Sequence, residues 1–298
     1  MPADTPDYAG RDSILTFEEI ARFVRISVGL GVDDVRLTGG EPLVRSQLHK
    51  LVALINDIDG VEKISLTTNG ILLSHQLPAL HAAGLRSVNV SLDALDETAF
   101  TQVTRRPGLQ KVLKGIEACR ARGVKVKINA IAMRDFTEHQ IKAFGGFARS
   151  TGIPVRFIEF MPLDADGNWD DSRVLAGQQI VDLFGKLVRP LVSTGQSDPS
   201  PAVDYIFDDG VGTIGIIASV TQPFCSTCNR FRLTADGQLR SCLFGEDSGD
   251  VRQLLRNGSS DDLIAMCIKA AVTAKPRGHG TDDLSFLRPS RTMHSIGG

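Results

Sequence analysis

The chain has 298 residues, of which 42% are apolar and 23% are charged, a composition typical of one large globular domain or two ordinary ones. Its 33 Lys and Arg residues against 35 Asp and Glu residues give a formal net charge of −2, which excludes a general attraction to nucleic acid or to an anionic membrane. No apolar run reaches the roughly 20 residues that a membrane span requires. With no signal-like start and only five cysteines, we expect a cytoplasmic protein without nucleic-acid or membrane partners.

Helical and strand patterns alternate from residue 16 onward. The first helix is predicted to begin at Thr16, which forms a capping box with Glu19, and to end at Gly31. Strands are predicted at DVRLTGG, KISLTTNG, RSVNVSLDA, VKVKINAIAM and PVRFIEFM. Helices are predicted near residues 46–58, 75–83, 96–102, 108–122, 137–150 and 174–186. This order predicts an α/β fold with a parallel sheet, a TIM-type barrel or part of one.

The predicted strands alternate strictly between apolar and polar residues. In VKVKINAIAM, for example, Val126 and Ile128 alternate with Lys127 and Asn129. An ordinary barrel fills its interior with apolar side chains, but here the apolar set must face the covering helices. The polar set then faces the interior, which predicts a ligand chamber. The alternative is an antiparallel sheet wetted on one side, which gives the same alternation.

After about residue 190 the pattern changes to short strands and turns, with LVSTGQSDPSPAVDY at the join. We therefore divide the chain into a partial barrel over residues 1–190 and a C-terminal, mostly antiparallel region over residues 191–298. The second region is expected to carry the iron–sulfur site considered next.

Three of the five cysteines lie in one motif, at Cys225, Cys228 and Cys242. The turn at Asp236-Gly237 predicts a hairpin that brings Cys242 back beside Cys228. A structural zinc site needs a fourth ligand, and no histidine lies between residues 140 and 278. A 4Fe–4S cluster held by three thiolates would leave one iron open to a substrate atom. The motif therefore favours an iron–sulfur cluster, with zinc as the alternative.

Other residues around these motifs carry weaker signals. Gly39 and Gly40, in LTGGEP at the end of a predicted strand, allow a ligand to approach the backbone, although a plain turn explains them equally well. Glu41 in the same motif is able to pair with an ammonium group. Cys119 and Cys267 stand alone in helical patterns and are expected to be buried.

Seven segments closely resemble the GTP 3′,8-cyclase family of radical S-adenosylmethionine enzymes, over nearly all of residues 14–298. They are VRLTGGEPLVR, SLTTNG, VNVSLDAL, VKINAIAM, RFIEFMP, FCSTCNRFRLTADGQLRSCL and the terminal IGG. The resemblance implies an incomplete TIM-type barrel closed by a C-terminal region. It also implies the first step of molybdenum cofactor biosynthesis. There, an N-terminal 4Fe–4S cluster cleaves S-adenosylmethionine and the resulting radical converts GTP to 3′,8-cyclo-7,8-dihydro-GTP.

The resemblance further implies the residues of the site. The ligands of a second 4Fe–4S cluster, whose open iron binds guanine, would be Cys225, Cys228 and Cys242. The S-adenosylmethionine contacts would be Gly39, Gly40, Glu41, Ser91 and Met161. The GTP contacts would be Arg36, Thr67, Lys127, Arg156, Arg230, Phe231 and Arg232. Arg156 and a tail that enters the active site, Gly297-Gly298, are the candidate catalytic elements.

The resemblance is incomplete at the front of the sequence. The family's first cluster is held by a C-x3-C-x2-C motif, which is absent here, and Met1-Pro2 matches the residues that follow it. We therefore expect a truncated chain, without the first barrel strand and cluster loop, that does not cleave S-adenosylmethionine alone. The alternatives are a non-catalytic GTP-binding or zinc-stabilised relative, or another radical enzyme with an auxiliary cluster. By family analogy we expect a homodimer and, as pathway partner, cyclic pyranopterin monophosphate synthase.

Overall fold

The computed structural model describes residues 10–163, 169–195, 200–276, 278 and 296. The helices are α1 (Phe17–Val28), α2 (Leu48–Asn56), α3 (Leu73–Ala82), α4 (Glu97–Thr104), α5 (Leu109–Ala121), α6 (Thr137–Thr151), α7 (Gly177–Leu187), α8 (Arg252–Arg256) and α9 (Asp261–Thr273). The strands are β1 (Asp34–Leu37), β2 (Lys63–Thr68), β3 (Ser87–Ser91), β4 (Lys125–Ala132), β5 (Val155–Glu159), β6 (Leu191–Gly195), β7 (Val203–Phe207), β8 (Thr213–Ile217), β9 (Arg232–Leu233), β10 (Gln238–Arg240) and β11 (Gly249–Asp250).

The predicted start of α1 is confirmed in detail. The Glu19 N–H donates to Thr16 Oγ1 at 3.1 Å, and the Thr16 N–H donates to a Glu19 carboxylate oxygen at 2.7 Å. The helix itself ends at Val28, and the turn after it carries the chain to Gly31. The predicted start of the helix at 174 was wrong, because Val174 bridges to Met133 and α7 begins only at Gly177.

Eight strands form one sheet in the order β1-β2-β3-β4-β5-β8-β7-β6. Strands β1 to β5 are parallel neighbours, as predicted, which removes the antiparallel alternative for them. Strands β6 and β7 run antiparallel, and β8 returns between β5 and β7, parallel to β5. That return was not predicted, and it carries the first sheet past residue 190. The division between residues 190 and 191 stays a prediction.

The apolar face of the sheet packs against the helices, as the alternation predicts. Val88, Val90, Val126 and Ile128 are buried in one core cluster with residues of α2, α3, α5 and α6. Cys119 of α5 is fully buried there, as expected.

A row of four phenylalanines extends this core to the antiparallel strands. Neighbouring ring centroids of Phe144, Phe157, Phe184 and Phe207 lie 5.5, 5.6 and 6.0 Å apart in edge-on geometry. Because Phe207 belongs to β7, the antiparallel extension shares the core of the parallel strands.

The described residues after β8 form a second, smaller layer. Strands β9, β10 and β11 are antiparallel, so the predicted hairpin at Asp236-Gly237 is confirmed. Gly237 has φ 88°, and a Cβ there would lie 2.6 Å from the Cβ of Arg252, so only glycine fits this turn. The layer shares a second core cluster with α1, α8 and α9. Cys267 of α9 is only half-buried, so the prediction that it is buried was wrong.

No helix in the described ranges is long and apolar enough to cross a membrane.

Candidate active site

The polar residues of β2 to β5 lie in rows across one face of the sheet. Thr67, Asn89 and Lys127 are register partners on three neighbouring strands. Asn129 is paired in the same way with Arg156 of β5. Because register partners in a sheet point to the same side, these side chains share the face opposite the apolar core. The predicted ligand chamber therefore has a continuous polar wall.

Cations from different elements converge on this wall. Arg36 of β1 is accessible to solvent, and its Nε donates to Ser65 Oγ at 3.3 Å. Desolvation by the surrounding protein lowers the pKa of Arg36. Asp34 opposes that shift, while the charges of Arg230 and Arg156 add to it. The structure thus brings together Arg36, Arg156 and Arg230, three predicted GTP contacts that are far apart in the sequence.

Lys127 and Arg232 complete the cationic group. Burial lowers the pKa of Lys127, with Arg156 acting in the same direction and Asp204 in the opposite one. Burial also lowers the pKa of Arg232 to about 10, with the charge of Arg230 adding to the effect. These shifts show cations held close together and partly desolvated, an arrangement that favours a bound anion. We call Arg36, Lys127, Arg156, Arg230 and Arg232 the cationic chamber.

Phe231 lies between two chamber arginines in the sequence but faces the other way. Its ring centroid is 6.2 Å from that of Phe23, and it packs against the second core cluster. These contacts anchor the loop that carries Arg230 and Arg232. The predicted role of Phe231 in GTP binding stays a prediction.

The Gly-Gly-Glu motif follows β1, as predicted. Glu41 accepts hydrogen bonds from Leu43 N–H at 3.0 Å, Thr68 Oγ1 at 2.7 Å and Asn69 N–H at 2.7 Å. Its carboxylate thus ties the end of β1 to the end of β2. A carboxylate has about four acceptor sites, so one remains for the ammonium group expected from the sequence.

The other expected S-adenosylmethionine contacts lie at the carboxyl ends of β1, β3 and β5, which are alternate strands of the sheet. Gly39 has φ 150°, and among the described residues no atom other than those of its chain neighbours lies within 4 Å of a Cβ placed there, which leaves the backbone open to a ligand. Ser91 ends β3 and is exposed. Met161 follows β5 by two residues and is half-buried. Gly40 is also exposed. The tail residues Gly297 and Gly298 lie outside the described residues.

The cysteine loop begins with a short 3-10 turn over Cys225–Thr227, closed by a hydrogen bond from Cys228 N–H to Cys225 C=O at 3.2 Å. Lys275, just after α9, donates to Cys228 Sγ at 3.2 Å and to the carbonyl oxygens of Cys228 and Arg230 at 2.7 and 2.8 Å. Burial raises the pKa of Cys228, but the backbone N–H and charge of Arg230, together with Lys275, outweigh it and bring the pKa down to about 7.

The positive charge around the cysteine thiols favours a bound iron–sulfur cluster, but the distances between possible ligands in the described part of the chain do not yet form a metal site. Cys228 and Cys242 both lie near the Arg232 guanidinium, whose pKa they raise against the effect of burial. Positive charge around a thiol favours the thiolate that binds metal. Among the residues described, however, no three His, Cys, Asp or Glu side chains are close enough to hold one metal ion. The assignment of Cys225, Cys228 and Cys242 as cluster ligands stays a prediction.

Two family models cover most of the chain. The model for the Radical SAM superfamily matches residues 4–148, and the model for Molybdenum Cofactor Synthesis C matches residues 153–281. A GTP 3′,8-cyclase of Rhodopirellula baltica is 43% identical over 303 residues, which span 100% of this chain and 84% of the relative. A GTP 3′,8-cyclase of Paenarthrobacter nicotinovorans is 40% identical over 316 residues, spanning 100% and 89%.

The chain belongs to the GTP 3′,8-cyclase family. It is an enzyme of the radical S-adenosylmethionine superfamily that acts in molybdenum cofactor biosynthesis. Among solved structures, native anSMEcpe with bound AdoMet has a TM-score of 0.49 and 15% identity, over 61% of this chain and 53% of that one.

Sequence reasoning missed one residue that organises this cyclase-family site. Glu159, at the end of β5, is fully buried. It accepts hydrogen bonds from the N–H groups of Gly177, Val220 and Thr221, each at 2.8 Å, and from Thr221 Oγ1 at 2.6 Å. Glu159 thus joins β5 and α7 to the segment that leads into the cysteine loop. The only sequence signal was a lone carboxylate in an apolar strand, inside RFIEFMP.

Arg240 was also missed. It is fully buried on β10, with Nη1 2.5 Å from Asp247 Oδ1 and Nη2 donating to the Gly245 carbonyl oxygen. Because Cys242 lies between Arg240 and these two partners in the sequence, Arg240 fixes the loop that carries Cys242. From sequence it reads as one more basic residue on a short strand.

Proposed function

We propose that this chain binds GTP in the cationic chamber as the substrate of its family's reaction, the conversion of GTP to 3′,8-cyclo-7,8-dihydro-GTP, which is the first step of molybdenum cofactor biosynthesis. The observation that carries the proposal is the convergence of Arg36, Lys127 and Arg156 on the sheet with Arg230 and Arg232 beside the cysteines. In a chain whose net charge is −2, such a local group favours a polyanionic ligand. A nucleoside triphosphate, with its base near the thiols, fits both halves of the site.

The residues of the chain supply binding and orientation. The chamber cations neutralise the triphosphate and fix its position along the sheet. Thr67 and the loop segment of Arg230 to Arg232 complete the GTP contacts, as the resemblance implies. When bound, an iron–sulfur cluster with S-adenosylmethionine supplies the radical oxidant. Desolvation in the chamber, visible in the lowered pKa of Lys127 and Arg232, strengthens each charge contact made there.

The cofactor positions proposed for this family member follow the sequence motifs. Cys225, Cys228 and Cys242 would hold the second 4Fe–4S cluster, supported by the basic surroundings of Cys228. S-adenosylmethionine would lie at the strand ends, along Gly39, Gly40, Glu41, Ser91 and Met161. The N-terminal 4Fe–4S cluster stays a prediction from the resemblance.

Partners and location are proposed on family grounds. The product would pass to cyclic pyranopterin monophosphate synthase, and the chain would act as a cytoplasmic homodimer. The partly barrel-like arrangement of the sheet, with residues 1–190 and 191–298 as two regions, is proposed on the same basis.

The first test is GTP binding by equilibrium dialysis. We expect Arg156→Gln and Lys127→Gln each to raise the Kd for GTP about tenfold or more, because each removes a charge-assisted contact with phosphate. Arg120→Gln is the matched control, since Arg120 is exposed on α5 and pairs with Glu117 three residues before it. Equal Kd values for the wild type and both chamber variants would overturn the GTP site.

The second test is metal content after anaerobic reconstitution. We expect about four irons per chain at the cysteine loop, and an absorption spectrum that changes when GTP is added. Triple substitution of Cys225, Cys228 and Cys242 by Ser should abolish the iron. Zinc in place of iron would favour the zinc-stabilised alternative.

A further inference from the structure

One carboxylate stands among the cations of the chamber. Asp204 of β7 is the register partner of Gly215 on β8, which is in turn the register partner of Arg156 on β5. A Cβ at Gly215 would lie 2.7 Å from Arg156 Cγ and 2.9 Å from Asp204 Oδ1. Because residue 215 has no side chain, Arg156 lies across β8 and faces Asp204. The glycine therefore creates this ion pair across an intervening strand.

Arg156 and Asp204 form an ion pair that is longer than a direct hydrogen bond. Arg156 Nη2 lies 3.6 Å from Asp204 Oδ2, and the side chains are 14% and 33% exposed. The second atom of each group, Arg156 Nε and Asp204 Oδ1, is buried and has no hydrogen-bond partner in the part of the chain that the structure describes. Nε and Nη2 of Arg156 and the two carboxylate oxygens of Asp204 are the atoms that would form a bidentate guanidinium–carboxylate pair, with two parallel hydrogen bonds. Buried polar atoms without hydrogen bonds cost free energy, and a direct two-bond pair would remove that cost.

Asp204 also acts on the rest of the chamber. Its charge raises the pKa of Lys127, against the effects of burial and of Arg156. Several cations in one desolvated space repel each other, and a carboxylate beside them relieves that repulsion. A triphosphate bound in the chamber would do the same, and it would be repelled by the carboxylate. Asp204 and an anionic ligand are therefore competitors for the same cation.

We propose that Asp204 is a built-in counter-ion that pairs with Arg156 when the chamber is empty and releases it to the substrate triphosphate. The proposal rests on the proposed GTP site for the identity of the anion. It assigns Asp204 a specificity role. By competing for Arg156, the carboxylate weakens binding of any anion that has too few charges to displace it.

The sign of the effect separates this role from a purely structural one. Asp204→Asn keeps the shape and removes the charge, so we expect it to lower the Kd for GTP about fivefold and to lower the Kd for inorganic triphosphate by a similar factor. The ratio of the wild-type Kd to the Asp204→Asn Kd should fall toward one as salt is raised from about 50 to 500 mM. Binding of guanosine, which has no phosphate, should not change. A structural role predicts weaker binding of all three ligands.

The experiment is equilibrium dialysis with GTP, inorganic triphosphate and guanosine on four variants. They are Asp204→Asn, Arg156→Gln, the double variant, and Asp208→Asn as control. Asp208 lies on the same hairpin and carries the same charge, but it pairs with Arg189 at 2.7 Å, away from the chamber cations. Asp204→Asn should tighten GTP binding by a larger factor than Asp208→Asn. Its effect should fall to less than twofold in the Arg156→Gln background.

Two outcomes overturn the proposal. One is weaker or unchanged GTP binding by Asp204→Asn, and the other is an equal gain in Asp204→Asn and Asp208→Asn. If the wild type binds GTP and Arg156→Gln weakens that binding, either outcome overturns the counter-ion role of Asp204 but leaves the proposed GTP site intact. If the wild type binds neither GTP nor inorganic triphosphate, the proposed function fails with it.

Discussion

The two sides of the site are held in position by different kinds of interaction. Lys127 and Arg156 stand on central strands, where main-chain pairing on both sides fixes each Cα. Cys228 and Cys242 lie on two loops, one before β9 and one after β10, which are held chiefly by the side chains of Lys275 and Arg240. The strand side should therefore tolerate loss of a single side-chain contact, whereas the loop side should not.

The largest effect is expected at Glu159, where the two sides meet. Glu159→Gln leaves donors facing an amide NH2 in a buried position, so it should lower the free energy of unfolding by about 3 kcal/mol. It should also weaken GTP binding, because the segment from Val220 onward loses its hydrogen bonds to the Glu159 carboxylate. Urea unfolding and dialysis measure the two effects.

The control for Glu159 is Glu117→Gln. Glu117 is exposed on α5 and pairs with Arg120 three residues later, so its loss should cost less than about 0.5 kcal/mol. If both variants unfold at the same urea concentration, Glu159 does not connect the two sides.

A smaller effect is expected at Arg240. Arg240→Met removes the contacts to Asp247 and to the Gly245 carbonyl oxygen, and should cost about 2 kcal/mol. The freed loop should make Cys242 react several-fold faster with a thiol reagent in the metal-free, reduced chain. Arg120→Met is the matched surface change, and it should leave that rate unaltered.

The third prediction compares two thiols, one in each environment. Burial raises the pKa of Cys119 to about 11, whereas the basic groups around Cys228 lower its pKa to about 7. In the metal-free chain, alkylation of Cys228 should rise through about pH 7, and Cys119 should stay unreactive there. Mass spectrometry of the labelled peptides measures both rates.

Lys275→Met sharpens this contrast. A missing ammonium group destabilises the thiolate, so the pKa of Cys228 should rise and its alkylation rate at pH 7 should fall several-fold. Lys269→Met changes an exposed lysine of the preceding helix α9 and should leave the rate unchanged. An equal drop in both variants would show that net charge rather than the Lys275 contact controls the thiol.

The smallest effect is expected on the strand side. Ser65→Ala removes the 3.3 Å hydrogen bond to Arg36 but leaves the β1–β2 register that positions it. The Kd for GTP should change less than about twofold. A larger change in dialysis would mean that side chains, rather than strand pairing, position this wall.

Local sequence patterns determined several elements of this structure and the direction in which their side chains point. Alternation in KVKINAIA predicted which side chains of β4 face the core and which face the chamber, because successive residues of a strand point to opposite sides. Thr16 and Glu19 predicted the start of α1, since capping needs only residues three apart. The cysteine spacing and Asp236-Gly237 turn predicted the β9–β10 hairpin for the same local reason.

Only the tertiary structure decided how distant residues meet. The return of β8 beside β5 depends on the whole path of β6 and β7, so no local pattern reveals that Asp204 faces Arg156 across Gly215. The partners of Glu159 lie 18, 61 and 62 residues away, and Lys275 is 47 residues from Cys228. The sequence determines the residue type at each position and, through short-range geometry, the local alternation, helix caps and turns. The pairing of charges across strands and loops is set by long-range packing, which one-dimensional periodicity does not encode.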